Sequence, residues 1–215
     1  MPLSSGTANS TPVIETLPLF PLQTVLFPGT VLQLKVFEAR YLDLMSACLR
    51  SGEAFGVICL KQGSEVGRSA QQVELEEVGV LTRLDEVDAD QPGLLRVRCT
   101  GLQRFRRSGP ATQQNDGLWT CTAETIGPDP LRVPGPAVLP TVQALAGAIK
   151  ALREQGQTPF AEPYRLDDAG WVANRWCELL PVTLAAKQKL MELDDPVIRL
   201  SLVDGFLRDK KVVIG

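Results

Sequence analysis

The 215-residue sequence contains no histidine. Histidine is the commonest general base near neutral pH and a frequent zinc ligand, so its absence excludes Ser-His-Asp catalysis, Cys-His catalysis and imidazole-bound metals. Phosphate-binding loops of the form GxxxxGK[ST] and dinucleotide-binding GxGxxG patterns are also missing. These absences argue against an enzyme, and we expect neither a metal nor a cofactor.

Cysteine is present but forms no recognisable pattern. The five cysteines are odd in number, widely spaced and flanked by apolar residues, and no CxxC pair occurs. A zinc knuckle and a redox motif are therefore both absent, and buried reduced thiols are predicted.

Long apolar runs are lacking as well. No stretch approaches the roughly 20 apolar residues that span a bilayer, and the start of the chain lacks the features of a secretory signal. Its Ser, Thr, Asn and Gly content predicts a disordered tail over residues 1–12. We expect a cytoplasmic protein without membrane contact, whose net charge of −3 gives no general attraction to nucleic acid.

What the chain does have, up to about residue 127, is the pattern of β-structure. Short alternating or apolar runs are separated by turn-forming sequences, and Gly79 and Gly101 interrupt the two longest runs as bulges or bends. Curled strands broken by glycine favour a small β-barrel over residues 13–127. The predicted strands cover residues 32–37, 55–60, 73–87, 94–107 and 118–126.

The stretch LPLFPLQTVLFPGT at residues 17–30 combines three prolines with many large apolar residues. Its PxxP spacing fits a polyproline ligand, but the apolar flanks instead favour an edge strand at residues 17–22, where proline lacks a sheet partner. Residues 27–30, FPGT, then have the pattern of a turn with proline second and glycine third.

Helical periodicity appears in one insertion and again near the end of the chain. Residues 38–52 predict an amphipathic helix that ends at Gly52, with Leu49 on its apolar stripe. Four prolines between residues 127 and 136 predict a linker, assigned to residues 128–136. Residues 137–211 have the pattern of a small helical bundle. Thr183 and Asp195 are its predicted helix caps, and the stripe predicted for the last helix comprises Ile198, Leu202, Val203 and Phe206.

Five motifs in order resemble the N-terminal, substrate-recognition domain of the Lon protease family. The opening of that domain is similar to LPLFPLQTVLFPG followed by LKVFEARYLDLM, and two of its strands are similar to FGVICL and EVGVLTRLDEV. Its GxxRF segment is similar to LLRVRCTGLQRFR, and its helical signature to ELLPVTLAAKQKLMELDDPVIRL. The resemblance covers about residues 13–208.

The resemblance implies an α+β fold, in which a PUA-like β-barrel with one inserted helix precedes a small C-terminal α-helical bundle. A full Lon protease continues into ATPase and Ser-Lys peptidase modules, for which this sequence has no matching stretch. We therefore expect a stand-alone, non-catalytic module that binds unfolded or hydrophobic polypeptide segments. A separate protease or chaperone is a further candidate partner.

Residues 37–41, FEARY, are the first candidate site. The resemblance suggests that Phe37, Glu38, Arg40 and Tyr41 form part of a peptide-binding rim. The alternative is structural: Glu38 favours the start of the helix by its charge, Arg40 pairs locally and Tyr41 belongs to the core. The structural alternative is favoured because such helix-start patterns are common.

An arginine-rich strand is the second candidate, because other PUA-like domains bind RNA. However, residues 73–90 hold seven acids, and antiparallel pairing through the QPG turn would let cross-strand ion pairs cancel the positive charge. Nucleic acid is therefore the less favoured partner. The arginines of this alternative surface are Arg96, Arg98, Arg104, Arg106 and Arg107.

Two remaining features bear on a binding site. Trp171 and Trp176 are about 140° apart on a helix, which favours core packing over a ligand cage. The polar loop at residues 61–72 is longer than a hairpin needs and is a candidate functional loop. The feature that would best support peptide binding is a groove with exposed apolar residues between the two halves of the chain.

Overall fold

The computed structural model describes residues 12–62, 73–158 and 160–213. The predicted disordered tail and most of the predicted functional loop lie outside these residues. The described elements are the strands β1 (Val13–Leu22), β2 (Val31–Val36), β3 (Phe55–Gln62), β4 (Glu74–Leu75), β5 (Val78–Gln91), β6 (Leu94–Arg107), β7 (Thr112–Gln113) and β8 (Trp119–Thr125), and the α-helices α1 (Ala39–Ser51), α2 (Leu139–Glu154), α3 (Ala169–Leu179), α4 (Leu184–Glu192) and α5 (Pro196–Asp209).

The strands form one sheet that closes on itself. Their hydrogen-bonded order is β2-β6-β5-β3-β1-β8-β7, and an additional pairing of β6 with β8 joins β6, β5, β3, β1 and β8 into a ring. β2 lies outside this ring and pairs antiparallel with β6. The predicted α+β class, with one inserted helix and a helical C-terminal region, is confirmed, and the closed ring corresponds to the predicted barrel.

β1 is not the edge strand that was predicted at residues 17–22. It pairs antiparallel with β8 from Val13 to Leu19 and parallel with β3 from Leu19 to Leu22. The two pairings overlap at Leu19 only, so Pro18 has a partner on one side of the strand and Pro21 on the other. Neither proline lies where both sides of the strand need hydrogen bonds, and the sheet therefore accommodates them in an interior strand.

The turn predicted at residues 27–30 is confirmed. Thr30 N donates to Phe27 O at 3.0 Å, and Gly29 has a φ of +82°, which glycine adopts without strain. Gly29 N donates to Gly101 O at 2.8 Å, and Gly101 N donates to Thr30 O at 2.9 Å. Two residues before β2 thus oppose one residue of β6, which forms a glycine bulge at the entrance of β2.

Gly79 is required for close packing and does not form the predicted bend. It pairs in register with Phe105, and the register shift follows between Val80 and Thr82. A Cβ atom at Gly79 would lie 2.5 Å from Val57 O and 2.6 Å from the Phe105 ring. A glycine inside a strand can therefore mark a close backbone approach as readily as a bulge.

Two apolar helix faces differ from their predictions. In α1 the predicted Leu49 is exposed and Leu44 is buried, although the helix ends at Gly52 with a φ of +71° as expected. In α5 the predicted Ile198 and Leu202 are exposed. The buried residues of α5 are Pro196, Arg199, Leu200, Val203 and Leu207.

The hydrophobic core is shared between the sheet and the helices. Its larger cluster joins Val25 and Phe27, next to the first turn, to Trp171 of α3 and Leu200 of α5. A smaller cluster around Phe105 fills the space inside the ring. Trp171 and Trp176 are both buried in the larger cluster, which confirms their predicted packing role.

All five cysteines are buried and reduced, as predicted. Burial raises the pKa of Cys99 to about 12, that of Cys177 to about 12 and that of Cys121 to about 11. Thiols with these pKa values carry almost no thiolate at neutral pH and are chemically inert.

Within the described ranges, no helix combines the length and apolarity that crossing a bilayer requires. The same residues bring together no group of three or more Cys, Asp or Glu side chains able to hold a metal ion.

Candidate functional site

A cleft of about 240 Å³ opens between the sheet and the helices. This volume lies below the roughly 300–1,000 Å³ of typical small-molecule sites and suits one or two amino-acid side chains. The lining comes from the turn before β2, from β6, from the segment between β8 and α2, and from the start of α3. The residues are Pro28, Gly29, Leu102, Gln103, Arg104, Gly127, Pro128, Asp129, Leu131, Arg165, Asp168, Gly170, Trp171 and Asn174.

The rim of the cleft is apolar. Leu131 is 71% exposed and Leu102 is 38% exposed, and they approach the cleft from different parts of the chain. Pro28 and Pro128 add further apolar surface. Large apolar side chains that remain exposed around a concave surface indicate a binding site for an apolar partner.

The floor of the cleft is a buried charge network centred on Asp129. Arg104 approaches Asp129 at 3.3 Å, and Arg199 approaches it at 2.5 Å. Arg104 also donates to the carbonyl oxygens of Met191 and Leu193, both at 3.0 Å. Burial lowers the pKa of Arg104, and the charge of Asp129 opposes this effect, so the guanidinium remains protonated at any physiological pH.

Arg175 of α3 fixes the position of the turn that forms one wall of the cleft. It donates to the carbonyl oxygens of Pro28 and Gly29, both at 2.7 Å, and forms an ion pair with Glu178 at 2.6 Å. Glu178 accepts a hydrogen bond from Thr30 Oγ1 at 2.6 Å. Burial lowers the pKa of Arg175 and raises that of Glu178. The turn and α3 are therefore held together by three hydrogen bonds, and the ion pair within α3 positions Arg175 and Glu178 to make them.

The polar groups at the start of α3 are paired as well. Asp168 accepts from Gly170 N at 3.0 Å, which caps the helix, and it lies 3.5 Å from Arg165. Because these charges are already neutralised by protein groups, the cleft offers its apolar rim as the available binding surface. Its chemistry suits the burial of apolar side chains.

The FEARY residues lie away from the cleft and have mainly structural contacts. Phe37 is 53% exposed, whereas Arg40 and Tyr41 are buried. Arg40 forms an ion pair with Glu38 at 2.8 Å and donates to Gly117 O at 2.9 Å, and the Tyr41 ring stacks on Phe20 with the centroids 4.1 Å apart. The local pairing of Arg40 and the burial of Tyr41 agree with the structural alternative, whereas Glu38 makes no side-chain hydrogen bond that caps the helix and Phe37 remains exposed.

The five arginines of β6 do not form a continuous basic surface. Arg98 pairs with Glu86 at 2.9 Å, and Arg96 lies opposite Asp88 in the register of β5 and β6. This arrangement confirms the predicted antiparallel pairing, in which the acids of β5 offset the positive charge. Arg106 lies 3.7 Å from Glu77, Arg104 belongs to the floor of the cleft, and Arg107 donates to the carbonyl oxygens of Leu75, Glu76 and Gly109.

Sequence reasoning missed Leu131, Asp129 and Arg175. The first two lie in the stretch whose prolines predict a linker, and a linker pattern does not indicate binding residues. Arg175 lies between Asn174 and Trp176, and nothing in the local sequence marks it as buried, because the carbonyl groups it binds are 146 and 147 positions earlier in the chain.

Sequence comparisons place these features among known proteins. The family model of the ATP-dependent protease La (LON) substrate-binding domain matches residues 16–209. The chain is 26% identical over 216 residues to a Lon protease of Xanthomonas oryzae, covering 96% of this chain and 24% of that protein. It is 32% identical over 113 residues to Lon protease 4 of Sorangium cellulosum, covering 52% of this chain and 13% of that protein. The chain thus spans about a quarter or less of these relatives.

Two solved structures are similar to the fold. A Lon N-terminal domain protein from Xanthomonas campestris has a TM-score of 0.72 and 30% sequence identity, covering 90% of this chain and 99% of that chain. The N-terminal domain of a Mycobacterium avium complex Lon protease has a TM-score of 0.59 and 16% identity, covering 91% of this chain and 99% of that chain. The second likeness concerns the fold alone.

Proposed function

The chain belongs to the family of ATP-dependent protease La (LON) substrate-binding domains, and from this membership we propose that it binds exposed apolar segments of unfolded polypeptide. The observation that carries the proposal is the cleft between the sheet and the helices, with the exposed Leu131 and Leu102 on its rim. Unfolded chains expose apolar side chains, and these are the ligands that such a rim selects.

The cleft is built for affinity with little selectivity among apolar side chains. Burial of a large apolar side chain contributes about 1.5–3 kcal/mol, whatever its detailed shape. Asp129 and Asp194, which lies 3.3 Å from Arg104, offset the charges of Arg104 and Arg199, so a ligand side chain above them need not supply a charge. Burial of the one or two side chains that the cleft accommodates gives about 1.5–6 kcal/mol before the cost of ordering the peptide is subtracted. A micromolar complex needs roughly 8 kcal/mol, so contacts outside the cleft must contribute to the affinity as well.

The proposed role is binding without catalysis. The matched family model is that of a substrate-binding domain, and the described cleft residues supply an apolar surface with paired charges. We propose that the bound segment is presented to a protease or chaperone, and that binding itself requires no ATP.

The test is a fluorescence anisotropy titration of labelled apolar peptides and of unfolded casein with the unmutated chain and two variants. We expect Leu131→Asp to raise the dissociation constant about tenfold or more, because a charge replaces the apolar contact of the rim. The matched control is Val133→Asp, which places the same charge on a residue of the same segment that is 77% exposed and does not line the cleft.

The control variant should bind as the unmutated chain does. Absence of binding by the unmutated chain to any apolar peptide would overturn the proposed function. Equal weakening by the two variants would exclude the cleft as the binding surface.

A further inference from the structure

We propose that the outer edge of β2 pairs with the backbone of the bound polypeptide, which joins the sheet as an additional extended strand. This inference rests on the proposed function and specifies how the ligand is held. β2 pairs with β6 along all six of its residues, and it is the terminal strand of the sheet order. Nothing in the described part of the chain pairs with its other edge.

The hydrogen bonds at the start of β2 identify which backbone groups face outward. Gly101 N donates to Thr30 O, so Thr30 and Gly101 form a hydrogen-bonded pair. In an antiparallel ladder such pairs alternate with pairs whose N–H and C=O groups point away from the partner strand. In the register of β2 and β6, the outward groups belong to Val31, Gln33 and Lys35.

These outward groups define the chemistry of the occupant. Three N–H donors and three C=O acceptors alternate along one edge, a pattern that the backbone of an extended polypeptide complements. Natural sheets often protect long edges with prolines or several charges, but β2 contains no proline and one lysine. Pairing through the backbone is independent of side-chain identity, as expected for a domain that receives unfolded chains.

The two faces of β2 indicate which sequences bind best. Leu32, Leu34 and Val36 lie on the half-buried or buried face, next to the shared core, whereas Gln33 and Lys35 lie on the exposed face. An added strand has the same alternation, so its side chains beside Leu32 and Leu34 are favoured when apolar. Side chains beside Lys35 are favoured when polar or acidic.

The edge of β2 is continuous with the cleft. Pro28 and Gly29 line the cleft, and β2 begins at Val31, two residues after Gly29. An extended segment that pairs with β2 and continues past Val31 therefore arrives at the apolar rim. Six residues of strand span roughly 20 Å, so a peptide of about ten residues reaches both sites.

The first test is residue-resolved amide hydrogen exchange of the full chain, measured by NMR with and without a ten-residue peptide of alternating leucine and glutamate. In the free protein, the amides of Leu32, Leu34 and Val36 should exchange slowly, because they pair with β6. Saturation with the peptide should slow exchange at Val31, Gln33 and Lys35 by about tenfold or more.

Three results would overturn the inference or its premise, and each leads to a different conclusion. A peptide that binds without slowing these three amides overturns pairing at β2 and leaves the proposed function intact. A peptide that does not bind at all overturns the proposed function. Protection of the three amides that rises with protein concentration in the absence of peptide assigns the edge to a second copy of this chain.

The second test compares Gln33→Pro with Gln33→Ala. Proline removes the outward N–H and blocks the edge, but it leaves the hydrogen bonds between β2 and β6 in place, whereas alanine removes only the side chain. We expect about tenfold weaker peptide binding for Gln33→Pro and unchanged binding for Gln33→Ala. If both variants have the circular dichroism spectrum of the unmutated chain and bind the peptide equally well, the inference is overturned. If Gln33→Pro does not fold, the hydrogen-exchange measurement decides.

Discussion

At the scale of single residues, Asp129 is the group on which the junction between the sheet and the helices depends most. Its carboxylate accepts hydrogen bonds from Arg104 of β6 and from Arg199 of α5, and both guanidiniums are buried. Asn174 adds a neutral acceptor for Arg199 at 3.0 Å. Two buried cations thus share one carboxylate, and removal of its charge leaves both without their main counterion.

We expect Asp129→Asn to destabilise the fold by about 3–5 kcal/mol, the typical cost of breaking a buried ion pair. The measurement is urea unfolding at pH 7. The matched control is Asp194→Asn: Asp194 also lies 3.3 Å from Arg104 but is 83% exposed, and an exposed pair contributes about 0–1 kcal/mol. Similar small losses for the two variants would contradict the central role of Asp129.

Residues whose roles depend on local physics were predictable, and those with distant partners were not. Thr183 and Asp195 accept hydrogen bonds from N–H groups two or three residues ahead, so their capping follows from the sequence around them. Arg199 is buried because Asp129, 70 positions earlier, lies beside it. No periodicity of α5 contains that information, and the predicted stripe of Ile198 and Leu202 was wrong for this reason.

At the scale of elements, α2 and α5 are joined by Asp204. It accepts from Thr141 Oγ1 at 2.5 Å and from Arg208 at 2.7 Å. Burial raises the pKa of Asp204, but the hydrogen bonds from Arg208 and Thr141 outweigh burial and hold the pKa below its usual value. The charged carboxylate is therefore the form that stabilises the contact between the two helices.

This contact should make stability depend on pH at acidic values. Because the pKa of Asp204 is lower in the folded state, its contribution is complete above the unfolded pKa of about 4 and is lost as the pH falls through the folded value. We expect Asp204→Asn to cost about 1–2 kcal/mol at pH 7 and progressively less below about pH 4. Urea unfolding of both proteins across this range measures the difference, and a constant difference would contradict the role of the charge.

Some element predictions were accurate because turn residues mark both ends. β6 spans residues 94–107 as predicted, between the QPG turn and a serine-glycine turn. The edge-strand prediction for β1 is wrong because proline indicates a missing hydrogen bond without revealing on which side of the strand, or at which residues, the neighbour is absent. Its change of partner from β8 to β3 at Leu19 is a property of the closed ring. A sequence pattern within one strand does not reveal such a change of partner strand.

At the scale of the whole molecule, the two halves share one core and one site. The predicted groove between them corresponds to the cleft, but its rim residue Leu131 comes from the proline-rich stretch assigned as a linker. That stretch packs between the halves: Asp129 meets arginines of both, and Arg132 O accepts from Ala169 N at 2.7 Å. Prolines exclude regular structure, and they do not exclude firm packing.

The shared core predicts that the sheet and the helices unfold together. Trp171 and Trp176 report on α3, and circular dichroism reports on the whole backbone, so their urea transitions should coincide in a Trp119→Phe background. Arg175→Met removes the hydrogen bonds to Pro28 and Gly29 and should separate the transitions. Arg165→Met is the control, because Arg165 is 58% exposed and its loss leaves the turn attached to α3.

Separate transitions in the parent chain would contradict a shared core, because the helices would then be stable without the sheet. Coincident transitions in Arg175→Met would show that apolar burial around Phe27 and Trp171 is sufficient to couple the halves without the buried arginine. The coupling matters for binding because each half supplies one wall of the cleft. A chain whose halves separate at low urea concentration should therefore lose peptide affinity before it loses its secondary structure.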